Sequence, residues 1–136
     1  MNSSFGNEEL VSIGDLAKTL NLTTRTLRYW EEAEIIEAAP RSDGSNRFYS
    51  QDIVKRIRFI IKLKELGLTI QELQDLYTAY GEAKRTDLMI PTLVQTLDKH
   101  INLVDDKMAR LASLRKDIVE YRQRMATKQH TSSESF

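Results

Sequence analysis

The sequence contains no cysteine and only two histidines among its 136 residues. Without a thiol, the chain can form no disulfide, thiolate metal site or iron–sulfur cluster. A protein metal site takes about three or four side-chain ligands, whereas His100 falls on a helical pattern and His130 in a polar tail. We therefore expect no metal and no cofactor.

Proline and glycine are scarce, and no apolar run approaches the roughly 18 residues that span a bilayer. Long helices are therefore possible and no membrane partner is expected. Residues 1–10 lack the basic and apolar segments of a secretory signal, so we expect a flexible polar leader and a cytoplasmic protein. The sequence has no nucleophile–base pair or glycine-rich phosphate loop, and an enzyme is not expected.

The charge is balanced overall, with 20 basic and 20 acidic residues, but it is unevenly distributed. Residues 23–64 hold nine basic and six acidic side chains, whereas residues 65–98 hold two basic and six acidic ones. A basic module within a neutral chain is typical of proteins that bind nucleic acid, although solvated faces often show the same bias.

Two short amphipathic helices are predicted at 13–20 and 24–33, joined by a turn at Asn21, a residue that tolerates left-handed backbone. This is the plan of a helix-turn-helix. In the second helix Leu27 and Trp30 would face inward. The opposite, exposed side would carry Thr24, Arg25, Arg28 and Tyr29. Hydroxyls at a helix start followed by arginines one turn apart suit the major groove of DNA. An ordinary salt-bridged surface helix would show a similar pattern.

A turn-rich segment follows at residues 40–49. Residues 41–46 form a polar turn cluster, and two short strands around it are predicted to make a small β-hairpin, or wing. Arg41, Arg47 and Tyr49 flank this turn, and such side chains contact DNA phosphates. A charged hairpin without a ligand remains the alternative.

Two more helices and a long final helix complete the pattern. Thr69 and Glu72 form a capping box for the second of the pair. Residues 11–81 would then be the DNA-binding domain and 82–90 a connector.

The final helix is predicted at 91–126, beginning near Pro91, and residues 127–136 as a disordered tail. Its apolar positions follow a heptad spacing, which predicts a coiled-coil partner chain. Arg115 and Arg122 interrupt the seam. The apolar positions of this helix are Val94, Leu97, Ile101, Val104, Met108, Leu111, Ile118 and Met125, and the seven from Val94 to Ile118 are the expected dimer interface.

These motifs together resemble the MerR family of bacterial transcription regulators. The resemblance rests on Ile13 to Ala17, Thr26 to Glu31, Arg41 through Ser50 and Leu66 to Thr69. It implies a mainly α fold: a winged helix-turn-helix, a second helix pair and a long coiled-coil helix that joins two subunits. It also implies a homodimer that binds a pseudo-palindromic promoter in double-stranded DNA. Members bend and untwist that DNA for RNA polymerase, often in response to an effector.

By position, the resemblance assigns recognition-helix contacts to Thr24, Arg25, Arg28 and Tyr29, and wing contacts to Arg41, Arg47 and Tyr49. Asn46 stands where many members have tyrosine, and it can still hydrogen-bond a phosphate. The cysteines of the family's metal and redox sensors are absent.

Two questions stay open at this point. An effector, if one exists, could be a small organic ligand beside Tyr77, Tyr80 and Met89, although these residues could equally form an interdomain core. The alternative function is an architectural, excisionase-like DNA-binding protein without promoter remodelling. The long final helix argues against that alternative.

Overall fold

A computed structural model describes residues 9–43 and 46–130 of the chain. Its elements are five helices and two short strands within those residues. In chain order they are β1 (Val11–Ser12), α1 (Ile13–Leu20), α2 (Thr24–Glu32), β2 (Phe48–Tyr49), α3 (Gln51–Glu65), α4 (Ile70–Tyr80) and α5 (Thr86–His130). The mainly helical class with a small antiparallel β element is confirmed. The leader predicted at residues 1–10 lies largely outside the described residues, as do residues 131–136 of the tail.

Each of the first four helices begins at a hydroxyl side chain. Ser12, Thr23, Ser50 and Thr69 each accept a hydrogen bond from the backbone N–H three residues later. These bonds satisfy amide donors that have no partner within the helix. At Thr69 the capping box is complete, because Glu72 Oε1 also accepts from the Thr69 backbone N–H at 2.8 Å. The turn between α1 and α2 has Asn21 at φ 57°, as the sequence predicts.

The β element differs from the predicted hairpin in its strand partner. β2 pairs antiparallel with β1, so that Val11 lies opposite Tyr49 and Ser12 opposite Phe48. The segment before the turn contributes no strand, although Ala39 N–H donates to Phe48 O at 2.8 Å. Five residues separate Pro40 from Asn46, and the proline and turn residues there interrupt any regular ladder. The wing is therefore tied to the start of α1.

The apolar core lies among the first four helices. Leu27, Ile35, Ile57, Ile60 and Leu73 are almost completely buried, and Trp30 is only 5% exposed. Leu16, Leu68 and Leu76 extend the same core. Burial of this kind is the main stabilising term of a small domain.

Polar bonds join the second helix pair to the end of α2. Gln74 Nε2 on α4 donates to Ala33 O at 3.0 Å, and Arg56 Nη1 on α3 donates to Ile35 O at 3.4 Å. Both carbonyls follow α2, in a segment where Glu34 has φ 64°. The position of α2 is thus fixed by polar bonds at its end as well as by packing.

α5 is longer than predicted at both ends. It begins at Thr86, five residues before Pro91, and it continues to His130, so residues 127–130 of the predicted tail are helical. Pro91 lies inside the helix, where it lacks an N–H donor. The rule that places proline in the first helical turn therefore marked the wrong start. Asp87 gives the helix an acidic first turn, and Arg85 donates two hydrogen bonds to its carboxylate at 2.9 and 2.7 Å.

The chain divides between Thr96 and Leu97 into two compact units. The first contains the strands, α1 to α4 and the beginning of α5, and the second consists of the remainder of α5. Across residues 9–43 and 46–130, none of the helices has the length and apolar character needed to cross a bilayer.

Removal of the α4 cap tests this account of helix initiation. Thr69→Ala is expected to lower the free energy of unfolding by about 1 kcal/mol, because it leaves the Glu72 amide without its side-chain acceptor. Urea denaturation followed by circular dichroism measures the loss. The matched control is Thr78→Ala on the exposed surface of the same helix, which should leave stability unchanged or slightly raised. Equal losses in both variants would contradict the capping role.

Candidate nucleic-acid interface

The exposed face of α2 carries the predicted recognition residues. Thr24, Arg25 and Tyr29 are exposed, with Tyr29 at 49%, and Arg28 is half-buried. On the other face Leu27 and Trp30 are buried in the core. The sorting of this helix into an inner and an outer face is as the sequence predicts.

The start of α2 is held rigidly. Thr23 Oγ1 accepts from the Thr26 backbone N–H at 3.0 Å and lies 2.8 Å from Thr26 Oγ1. Thr24 and Arg25 follow this cap directly, so their backbone amides lie at the positive end of the helix dipole. A DNA phosphate or base edge approaching this end would meet a favourable field.

The wing presents Arg41 and Asn46 to solvent on either side of its turn. Ser42 fixes the turn, because its Oγ accepts from Phe48 N–H at 2.8 Å and lies 3.1 Å from Phe48 O, to which it donates. Asp43 and Asn46 exchange backbone hydrogen bonds at 3.3 and 2.6 Å. Two polar side chains suited to phosphate contact are thus exposed beside hydrogen-bonded backbone.

The carboxylate of Glu31, on α2, connects the recognition helix to the wing. Its Oε1 accepts from Arg47 Nη2 at 2.8 Å, and its Oε2 accepts a short hydrogen bond from the Tyr49 hydroxyl. The side chains of Glu31 and Arg47 are 12% and 30% exposed. We call this arrangement the Glu31 cluster: Glu31, Arg47 and Tyr49.

The Glu31 cluster corrects the predicted role of Tyr49. The Tyr49 side chain is fully buried, so its hydroxyl cannot reach a phosphate while the core is intact. Burial, and then the hydrogen bond to Glu31, raise the pKa of Tyr49 far above its usual value, although the charges of Arg47 and Arg28 oppose the shift. Tyr49 is therefore a neutral donor that supports the wing from within.

The predicted dimer seam lies bare along α5. Val94, Ile101, Val104, Met108, Leu111 and Ile118 are all at least half exposed, and Leu97 is half-buried. Leu114 and Tyr121 are also exposed, at 53% each, although they lie outside the predicted seam. The signal that would have found them is the step of three residues from Leu111 to Leu114, after which steps of four and three continue.

The three residues named as a possible effector site come together in one cavity. Tyr77, Tyr80 and Met89 all line it. Tyr77 and Tyr80 pack edge to face, with ring centroids 5.9 Å apart. Met89 is buried in its wall. Within residues 9–43 and 46–130 no group of three His, Cys, Asp or Glu side chains could hold a metal ion.

An exposed, capped second helix beside a fixed wing defines a winged helix-turn-helix DNA-binding protein. Comparison with known families gives a narrower result. Residues 11–79 match the model of the MerR HTH family regulatory proteins, and residues 54–121 match the MerR DNA-binding model. The chain belongs to the MerR family of transcriptional regulators.

Individual relatives agree with this assignment. The chain is 31% identical over 114 residues to an HTH-type transcriptional regulator, the ZntR homolog of Haemophilus influenzae, covering 84% of this chain and 82% of that protein. It is similar in structure to PbrR691 of Ralstonia metallidurans in complex with lead(II), with a TM-score of 0.65, 26% identity and coverage of 82% and 84%. HiNmlR, a MerR family regulator that lacks the sensor domain and is bound to promoter DNA, shares the fold at a TM-score of 0.55 and 14% identity, with coverage of 88% and 94%.

Loss of the Glu31 carboxylate should loosen the wing. Glu31→Ala is expected to lower the free energy of unfolding by about 1–3 kcal/mol, because the buried Tyr49 hydroxyl loses its acceptor and Arg47 its counter-charge. Urea denaturation followed by tryptophan fluorescence measures the change. Glu32→Ala, at the exposed neighbouring position, is the control and should cost less than about 0.5 kcal/mol. A loss no larger than that of the control would show that the cluster does not stabilise the fold.

Proposed function

We propose that this chain binds a pseudo-palindromic promoter operator as a homodimer and controls transcription by bending and untwisting the DNA between the two half-sites. RNA polymerase at that promoter is the proposed partner that responds to the altered DNA. The observation that carries the proposal is the exposed face of α2 beside an exposed wing, in a chain of the MerR family.

Base recognition is assigned to α2. Thr24, Arg25, Arg28 and Tyr29 lie at or near the outer face of the helix, and a helix of this size fits the major groove. Arginine is suited to guanine, since its guanidinium can donate to O6 and N7 together. The exposed Arg25, next to the helix cap, is the strongest candidate for such a contact.

Phosphate contacts are assigned to the wing, mainly to Arg41 and Asn46, which are exposed. Arg47 is more constrained, because its guanidinium is paired with Glu31 and its Nε is buried without a hydrogen-bond partner. We therefore propose that Arg47 chiefly holds the wing and contacts DNA only through its exposed edge. Contacts to phosphates fix the register of the protein on the duplex without reading sequence.

A second copy of the chain is the proposed cover for the apolar seam of α5. A helix with a continuous exposed apolar stripe is stable in water when a partner helix covers it. Two joined DNA-binding units would then read two half-sites related by two-fold symmetry.

The seam is proposed to shift by one position after Leu111. In the strict heptad Arg115 and Arg122 occupy the seam, which places buried charge opposite a partner. The exposed Leu114 and Tyr121 offer an apolar alternative, at the cost of one local change in helix winding. Leu111, Ile118 and Met125 belong to both versions. An apolar seam avoids the desolvation of two arginines, so the shifted version is favoured.

Operator selection followed by a bending assay tests the whole proposal. Selection from random-sequence DNA should yield two inverted half-sites, and nuclease protection of the DNA around the gene should find such a site across a promoter spacer. Energy transfer between dyes at the two ends of the operator should rise when the protein binds, because bending brings the ends together. Protected sites away from promoters, or a duplex that stays straight, would overturn promoter remodelling.

Two substitutions separate base reading from phosphate binding. Arg25→Ala is expected to lower affinity for the selected operator by about 1–3 kcal/mol and to relax the preference at one base position of each half-site. Arg41→Ala should weaken binding to operator and unrelated DNA alike and reduce the salt dependence by about one phosphate contact per subunit. Fluorescence anisotropy at several salt concentrations measures both.

Lys116→Ala is the matched control for these two variants, since it removes an exposed positive charge from the second unit. It should change neither specificity nor salt dependence. If Arg25→Ala weakened binding to unrelated DNA as much as to the operator, its assignment to base recognition would be wrong.

A pair of neighbouring substitutions decides the position of the seam. Leu114→Glu is expected to shift the chain from dimer to monomer at micromolar concentration, because it introduces a charge into the apolar contact. Arg115→Glu should leave the dimer largely intact. Sedimentation equilibrium gives the dissociation constants. If Arg115→Glu raised the dimer dissociation constant more than Leu114→Glu did, the strict heptad would be the correct seam. If the unaltered chain formed no dimer, the homodimer proposal would be wrong.

A further inference from the structure

A cavity of about 940 Å³ opens on the first unit of the chain, and its lining residues come from elements other than α2. Its walls come from the wing, α3, the end of α4 and the beginning of α5. All of its lining residues lie between Leu10 and Met89, within one compact unit. Cavities that hold small molecules in proteins are commonly of this size.

A cation stacked on two aromatic rings forms one side of the cavity. The Arg56 guanidinium carbon lies 4.5 Å from the centre of the Tyr77 ring and 5.5 Å from that of Tyr80. Arg56 is also held by the carbonyl of Ile35. Stacking and this hydrogen bond restrain the side chain, so its positive charge is presented in a defined place.

The phenol of Tyr77 adds a neutral hydrogen-bond donor. Its burial raises the pKa of Tyr77 to about 12, with the charge of Arg56 opposing and Tyr80 adding to the shift. The hydroxyl therefore stays protonated at neutral pH. A polar group of a ligand could therefore accept a hydrogen bond from this hydroxyl.

The remaining lining combines excess positive charge with apolar surface. Four basic side chains, those of Arg41, Lys55, Arg56 and Lys84, face two acidic ones, Glu37 and Asp52. Ile53, Phe59 and Met89 supply apolar walls. A small molecule that matches both features carries one negative charge and an apolar body.

We propose that this cavity binds an organic carboxylate with an acyl or aryl body. The carboxylate lies beside Arg56 and Lys84, and the body packs against Phe59 and Met89. An inorganic anion would leave the apolar side chains of the lining without a contact, and a neutral apolar molecule would leave the basic side chains without a counter-charge.

Ligand binding is expected to affect DNA binding through residues in two walls of this cavity. This regulatory effect rests on the proposed function. Arg41 lines the cavity and is also a proposed phosphate contact. A bound carboxylate adds negative charge to the cavity that Arg41 lines, and this charge weakens the attraction of Arg41 for a DNA phosphate. Thr86 and Met89 lie at the start of the long helix. The ligand is therefore expected to weaken operator binding.

The first experiment measures binding to the free protein, so its result does not depend on DNA. Isothermal titration calorimetry is carried out with straight-chain carboxylates from butyrate to dodecanoate and with benzoate and phenylacetate. Each acid is paired with its primary amide. At least one carboxylate should bind about tenfold more tightly than its amide, because an ionic acceptor gains more from Arg56 than a neutral one does. Equal affinities, or no binding by any member of the series, would overturn the proposal.

Matched variants locate the site. Lys84→Gln removes a lining charge at an exposed position and keeps a side chain of similar length at φ 55°. Lys62→Gln makes the same change at an exposed position of α3 outside the cavity. The first should weaken carboxylate binding about threefold or more and leave amide binding unchanged, whereas the second should change neither. Equal weakening by both would show only general charge attraction.

Arg56→Gln and Arg58→Gln form a second pair on the same helix. Arg56→Gln should abolish the preference for the acid over the amide, and Arg58→Gln should preserve it. Thermal unfolding is measured alongside, and if Arg56→Gln fails to fold, the Lys84 pair alone decides the site.

A separate titration tests regulation. Addition of the best carboxylate should lower affinity for the selected operator by about threefold to tenfold in the unaltered protein and less in Lys84→Gln. Carboxylate binding without this effect would keep the site and remove its regulatory role. Loss of operator binding in every condition would instead count against the proposed function and leave the calorimetric result standing.

Discussion

The Glu31 cluster is the constraint on which the arrangement of the candidate DNA-binding surface depends. One carboxylate on α2 receives a guanidinium and a buried phenol from the chain around β2. The other backbone links between the wing and α1 are two residue pairs with β1 and a hydrogen bond of 2.9 Å from Ile13 N–H to Arg47 O, and so short a ladder is marginal in water. Because both donors come from outside α2, the outer faces of helix and wing are held in one geometry. A rigid spacing of this kind lets a protein fit one form of the double helix and resist others.

The second unit differs from the first in the burial of its apolar side chains. Most of the apolar side chains along its helix are exposed to solvent. The charged residues elsewhere on the helix do not cover this stripe. The first unit thus contains its own core, whereas the apolar stripe of the second unit is exposed in the part of the chain that the structure describes. A second copy that covers this stripe remains a proposal.

The sequence predicted well the helix caps and turns, because these depend on residues that are near neighbours along the chain. The capping box at Thr69 acts over three residues, and the left-handed turn at Asn21 is a property of that residue type. Tyr49 was misjudged because its environment is set by Glu31, 18 residues away. The strand at Val11–Ser12 has only two residues and no pattern of its own. Pro91 misled because proline is usual in the first helical turn, whereas here it lies five residues after the start of α5 at Thr86. The residues assigned to DNA contact and to the shifted seam remain predictions.

The burial of Trp30 has a practical consequence. It is the only tryptophan of the chain and is 5% exposed on the inner face of α2. Its emission therefore reports the environment of the inner face of α2. Far-ultraviolet ellipticity instead reports the helices of both units together, since it sums α5, with 45 residues, and the four shorter helices. A gap between the melting curves from these two signals would therefore show that the surroundings of α2 are lost separately from the rest of the helical structure.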